Sequence, residues 1–114
     1  MADYTNRKYW HNLVKMSLSR YFVMYALSQS PMHGYDISKW IGETTKDCCR
    51  PTEGSLYPML KEFEEGGYVT SETMVVSGRE RKVYTLSERG FGALAVGKEV
   101  WGHAAELLKA SIKI

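Results

Sequence analysis

Thr52-Glu53-Gly54-Ser55-Leu56-Tyr57-Pro58-Met59-Leu60-Lys61-Glu62-Phe63-Glu64-Glu65-Gly66-Gly67-Tyr68-Val69 is the stretch on which the fold of this chain turns. Leu56, Leu60 and Phe63 recur at four- and three-residue steps and predict the inner face of a helix. Ser55, Pro58, Lys61 and Glu62 then fall on or near its outer face, with Tyr57 toward the flank. Thr52 is a suitable cap. Pro58 lacks an N–H, and its ring presses on the carbonyl of Gly54. Either the first turn is irregular, or the regular helix begins nearer Tyr57. Gly66-Gly67 stops the helix, and Tyr68 opens a strand.

Outward from this segment, strands are expected at about Tyr68 to Val76 and Glu80 to Leu86, joined at Ser77-Gly78. Arg79, Arg81 and Lys82 lie on or just after that turn. A helix followed at once by a basic hairpin is the core of a winged helix. Such a fold usually lays its helix in a DNA groove and its hairpin on the phosphates. The fold class expected is mainly α with a two-stranded β wing.

Toward the N-terminus, residues 1 to 9 are polar and read as a short or frayed lead-in. From Trp10 to Ser28 the apolar residues Leu13, Val14, Leu18, Tyr21, Met24 and Leu27 repeat with helical spacing. Ser30-Pro31 ends that helix. A second helix is expected from about Tyr35 to Glu43, with Ile37, Trp40 and Ile41 facing inward. Thr44 to Pro51 reads as a loop. Ser87 caps a last helix that carries Gly90, Gly92, Gly97 and Gly102. Interior glycines each cost on the order of 1 kcal/mol relative to alanine, so close helix packing is expected to offset them. Ala93, Gly97, Val100, Ala104 and Leu107 form one apolar stripe; Leu94, Trp101, Leu108 and Ile112 form another. Two stripes exceed what one small domain can cover, so a homodimer is expected. Leu94, Gly97, Val100, Trp101, Ala104, Leu107 and Leu108 are its candidate interface residues. The division expected is 1–87 for the winged helix with its N-terminal helical extension and 88–114 for a dimerisation helix.

Composition limits the function classes. The chain has 114 residues, 44% hydrophobic and 25% charged, with a formal net charge of +2. That is one ordinary globular domain, and so slight a charge leaves the argument to where the cations sit. No apolar run is long enough to span a bilayer and the N-terminus has no signal-peptide pattern, which gives the expectation of a cytoplasmic protein without a membrane partner. His11, His33 and His103 are scattered. No nucleophile–base–acid set, phosphate loop or paired-carboxylate motif is present, so no catalytic residue is assigned and no enzyme is expected. No cofactor is called for.

Met32-His33-Gly34-Tyr35-Asp36-Ile37, Gly54-Ser55-Leu56-Tyr57-Pro58-Met59-Leu60-Lys61, Glu64-Glu65-Gly66-Gly67-Tyr68-Val69, and Gly78-Arg79 through Tyr84-Thr85-Leu86-Ser87-Glu88-Arg89-Gly90 follow one another in an order and spacing that resembles the PadR family of bacterial transcriptional regulators. The resemblance covers roughly Met16 to Gly90. It implies a winged helix-turn-helix, a C-terminal dimerisation helix, and repression of a double-stranded DNA operator relieved by a small molecule. The single short C-terminal helix is similar to the compact branch of that family. Tyr35, Ser55, Tyr57, Lys61 and Arg79 fall where the family touches DNA. Where family wings often carry a proline, this chain has Glu80. Lys39 and Arg50 are further cations that could offset Glu53 and Glu62 on the DNA face.

Two other features remain. Trp10 and Trp101 could flank a flat aromatic or cationic effector, and the compact branch implies a pocket of this kind; plain interface packing is the alternative. Cys48 and Cys49, beside Arg50, could form a thiol or soft-metal sensor. Adjacent cysteines, however, are no disulfide framework, and two ligands are too few for structural zinc, so no metal site is assigned. A winged helix used only for protein contacts is the remaining alternative function.

Overall fold

Residues 1–113 are described by a computed structural model, with elements in the order α1 (Arg7–Gln29), β1 (Met32–His33), α2 (Gly34–Thr45), α3 (Glu53–Glu65), β2 (Val69–Val76), β3 (Arg79–Leu86) and α4 (Glu88–Ile112). Three of the four helices start at a polar side chain that accepts from an otherwise orphaned N–H: Asn6 from Lys8, Thr52 from Ser55, and Ser87 from Gly90. The expected lead-in is therefore shorter than the composition indicates, since Arg7 to Tyr9 are already helical. The Trp10 indole N–H donates to the Tyr4 carbonyl at 2.8 Å and ties the preceding residues back to α1.

Pro58 sits inside α3 without breaking it. It is the sixth helical residue, and the carbonyl it cannot bond belongs to exposed Gly54, open to water. At the other end, the Tyr68 N–H reaches the Phe63 carbonyl at 2.9 Å and the Gly67 N–H reaches Glu64 at 3.1 Å. Gly67, at φ 79°, supplies the left-handed residue of this Schellman stop.

The sheet has three antiparallel strands in the order β1-β3-β2. The two-strand expectation missed β1, whose Met32 and His33 pair with Tyr84 and Val83. Two residues after a proline are too short for any periodic signal. Val76 pairs with Arg79, which leaves Ser77-Gly78 as a two-residue turn. Both turn residues have positive φ, 53° and 77°, the pattern of a type I′ turn that matches strand twist.

The core gathers Val23, Ala26 and Leu27 of α1, Ile37 and Ile41 of α2, Leu56, Met59, Leu60 and Phe63 of α3, Val69, Tyr84 and Leu86 of the sheet, and Leu94 of α4. The inner face expected for the third helix is thus the observed one. Gly90 must be small, because a Cβ there would overlap the Tyr68 carbonyl and the Leu86 side chain. The distal halves of α1 and α4 run beyond this core. The Cα radius of gyration is 15.8 Å, against about 13 Å for a compact domain of about 100 residues. No helix among the described residues is long and apolar enough to cross a membrane.

Candidate nucleic-acid interface

Gly34 opens α2, and the Tyr57 phenol of α3 lies across it. A Cβ at position 34 would stand 2.5 Å from the Tyr57 hydroxyl oxygen. The absence of a side chain at Gly34 is what seats Tyr57, and the two sequence blocks His33-Gly34-Tyr35 and Gly54-Ser55-Leu56-Tyr57-Pro58 meet at this point. Tyr35, Arg50 and Tyr57 line one shallow cleft of about 210 Å³ together with Ser38, Pro51 and Thr52. Arg50 is steered there. Its Nε donates to the Ser38 hydroxyl at 3.2 Å, and that hydroxyl donates to the Pro51 carbonyl at 3.2 Å.

Lys61 lies one turn beyond Tyr57. With Lys82 and Tyr84 of β3 it borders a second depression of about 420 Å³ that also includes Glu64 and Glu65. Lys82 is not a free cation. Its ammonium is 3.5 Å from Glu64 and 5.7 Å from the Tyr84 ring centre. The Ser71 hydroxyl donates to the same carboxylate at 2.6 Å. The Ser71 hydrogen bond, with Lys82 adding to it, holds the Glu64 carboxyl below its ordinary range.

Strand alternation separates the wing cations. Arg79 and Arg81 share one face of β3, while Glu80 and Lys82 share the other with buried Tyr84. Glu80 therefore does not stand beside the two arginines on their own face. Among the described residues no carboxylate pairs with Arg79 or Arg81, whereas Glu62 is taken by Arg20 at 3.0 Å.

Other expected residues are placed differently. The Ser55 hydroxyl points back to the Thr52 cap, within 3.1 Å of its hydroxyl and carbonyl oxygens. Lys39 borders a separate depression with Asp36, Trp40 and Glu43. Gly34, Ser38, Glu64 and Ser71 were absent from the expected site. Gly34 had a local signal in the His-Gly-Tyr block, and Glu64 in the Glu-Glu-Gly-Gly block; Ser38 and Ser71 act through residues distant in sequence.

On the far side, Trp10 and Trp101 line the same groove of about 590 Å³ between α1 and α4, with Leu13, Tyr21, Phe22 and Lys98. Of the candidate interface residues, Leu94 packs within its own protomer's core, because the start of α4 lies against the sheet. Gly97 faces Tyr21 of α1, where a Cβ would come within 3.2 Å of the ring. Trp101 and Ala104 are half-buried, whereas Val100, Leu107 and Leu108 are each 60% exposed.

A helix-turn-helix whose second helix is flanked by a three-stranded sheet with a projecting hairpin defines a winged-helix protein. The family model described as "Transcriptional regulator PadR-like family" matches residues 23–96, and the chain belongs to that family of transcriptional regulators. It is 32% identical over 75 residues to the transcriptional regulator Rv3488 of Mycobacterium tuberculosis, covering 66% of this chain and 67% of that protein. It is 28% identical over 76 residues to the negative transcriptional regulator PadR of Bacillus subtilis; that match covers 66% of this chain and 42% of the regulator's length. Among solved structures, smu.1704 of Streptococcus mutans superposes with a TM-score of 0.75 at 30% identity, over 84% of this chain and 87% of that one. Bacillus subtilis PadR in complex with operator DNA gives a TM-score of 0.61 at 27% identity, over 67% and 44% of the two chains.

Proposed function

We propose that this protein is a homodimeric, sequence-specific repressor of the cytoplasm that lays α3 in the major groove of a DNA operator. The observation that carries the reading is a pair of depressions that share Tyr57: Tyr35 and Arg50 border one, and Lys61 with Lys82 of the wing strand β3 borders the other. A related regulator has been solved with operator DNA. Tyr57, Lys61 and Arg50 position the helix, and Arg79 and Arg81 meet phosphates; Tyr35, Ser55 and Lys39 have supporting places at the margins. Two heads on a dimer axis read two half-sites about one helical turn or more apart.

Fluorescence polarisation over a salt series, with DNA from upstream of the protein's own gene and a scrambled duplex, tests this. Tight, salt-sensitive and selective binding is expected. Weak and equal binding to both duplexes would favour a winged helix that contacts proteins.

Within that assay, Arg79→Ala is expected to flatten the log K against log salt slope by about one unit on either duplex. Lys82→Ala should change the slope less, because Glu64 already faces that ammonium. Equal slope losses would show that Lys82 leaves Glu64 on binding. Gly34→Ala is expected to push Tyr57 off its seat and weaken operator binding several-fold. The melting temperature should hold, since the displaced atoms are the free end of one side chain. Native affinity in this variant would take Tyr57 out of the interface.

The dimer rests on apolar surface left open. Trp10, Leu13 and Val14 on α1 and Val96, Val100, Leu107, Leu108 and Ile112 on α4 are all exposed in the protomer. That exceeds the scattered single residues usual on a monomer. The groove bordered by Trp10 and Trp101 is the proposed place for a small aromatic effector. Bound there, it lowers DNA affinity by favouring a dimer with wrongly spaced heads. Tryptophan quenching by a planar cation should shrink in Trp101→Phe.

A further inference from the structure

The turn between α2 and α3 holds both cysteines, and neither belongs to the interface above. Cys48 is exposed, whereas Cys49 is 1% exposed and packs in the core. Their sulfurs are 3.3 Å apart. The Cys49 N–H donates to the Thr45 hydroxyl at 3.2 Å, and that hydroxyl donates to the Ile41 carbonyl of α2 at 2.7 Å. Upstream, Lys46 and Asp47 reverse the chain in left-handed conformations, φ 53° and 62°. Downstream, Arg50 and Pro51 lead directly to the Thr52 cap of α3. The cysteine pair therefore sits in the turn that sets α3 against α2.

The chemistry of the pair selects its ligand. Structural zinc requires four donors. Among the described residues no group of three or more His, Cys, Asp or Glu side chains could hold a metal ion. Burial, with Cys48 alongside, pushes the Cys49 thiol up to about 12, so a metal that must displace its proton is opposed. What the turn offers is two adjacent free thiols. A monosubstituted trivalent arsenical, R–As(OH)₂, has two open valences and needs no third protein donor. Each S–H proton passes to a departing hydroxyl; two As–S bonds form, two As–O bonds break and two waters leave. Arsenic remains trivalent, and no oxidant or reductant is required.

We propose that Cys48 and Cys49 form a binding site for monosubstituted trivalent organoarsenicals, and that closing the ring on arsenic lowers DNA affinity. Exposed Cys48 captures the reagent first. Ring closure then places arsenic and its substituent against a sulfur embedded in close-packed core, so the turn has to shift, and with it Arg50 and the start of α3. The regulatory half rests on the DNA-binding reading; the binding half does not.

Phenylarsine oxide added to the full chain provides the test, read by intact mass, free-thiol count and operator polarisation. One adduct per chain, loss of both thiols and an affinity decrease of at least about tenfold are expected, within the usual range of coupling between sites. Cys48→Ser, a change at an exposed position, should bind the operator normally and ignore the reagent; Cys49→Ser should also be insensitive. No adduct, an adduct on one thiol, or unchanged affinity with both thiols consumed would overturn the proposal. If the untreated protein does not bind DNA, the DNA-binding reading fails on its own, and the mass and thiol counts still decide the site.

The same geometry sets a pH dependence. Cys49 has a raised value when folded, so the folded state favours the thiol. Its contribution is present below the ordinary value of 9.0 and is lost as pH rises through about 12. Urea unfolding of Cys49→Val should therefore lose less stability than the native protein between those values. Parallel curves would show that Cys49 titrates freely in the folded chain.

Discussion

A protein carrying Val100→Asp and Leu107→Asp is expected to run as a monomer in sedimentation and to lose at least about 100-fold in operator affinity. Both side chains are 60% exposed on α4, so the substitutions leave the protomer's own packing intact. Circular dichroism should keep its helical signal. In the proposed dimer the same residues are buried, and two carboxylates placed in an apolar interface without partners oppose association. The loss of affinity follows from geometry. Once one head has bound, the second meets its half-site at the effective concentration set by the dimer, a gain of 10² to 10⁴ in typical bivalent systems. A variant that stayed dimeric would move the interface away from α4. A monomer with undiminished affinity would mean that one winged helix reads the operator alone.

Leu60→Ala is expected to lower unfolding free energy by about 2–5 kcal/mol, read as a shift of the urea midpoint. Leu60 is fully buried on the inner face of α3, where the helix meets the sheet and the other core helices. Its truncation leaves a cavity that close-packed neighbours only partly fill. Because small domains are typically stable by only 5–15 kcal/mol, this one change could leave the chain substantially unfolded at 37 °C. DNA binding would then fail because the scaffold has gone. A loss below about 1 kcal/mol would show that α3 is not held by this face.

Much of the fold was legible because its signals are local. The four-and-three spacing of Leu56, Leu60 and Phe63, the caps Thr52 and Ser87, and the Gly66-Gly67 stop each involve residues within a turn or two of one another. The hairpin was legible for the same reason, since Ser77-Gly78 carries its own turn chemistry. β1 was not, because two residues show no period and their strand character exists only through pairing with Val83 and Tyr84.

The arrangement of the candidate site was less legible. Of the residues singled out, Tyr35, Arg50 and Tyr57 line one cleft, and Tyr57 and Lys61 line the depression beside β3. Lys82 was singled out as a wing cation and Lys39 as a further cation that could offset Glu53 and Glu62, yet Lys39 sits in a different depression and Lys82 is held by Glu64. Leu94 carries the same apolar signal as Val100, and only packing puts the first inside the protomer and leaves the second outside.

Sequence by itself determined the presence of the helices, the caps Thr52 and Ser87, the Gly66-Gly67 stop, the basic hairpin and the family to which the chain belongs, because periodicity, capping and turn chemistry depend on near neighbours. Tertiary structure alone decided that Tyr57 rests on Gly34, that Glu64, itself bonded by Ser71, pairs with Lys82, and that Cys49 is buried while Cys48 is exposed. Each of these pairings joins or orients groups through the packing of separate elements, and a side chain's charge or shape does not reveal which distant partner will reach it first.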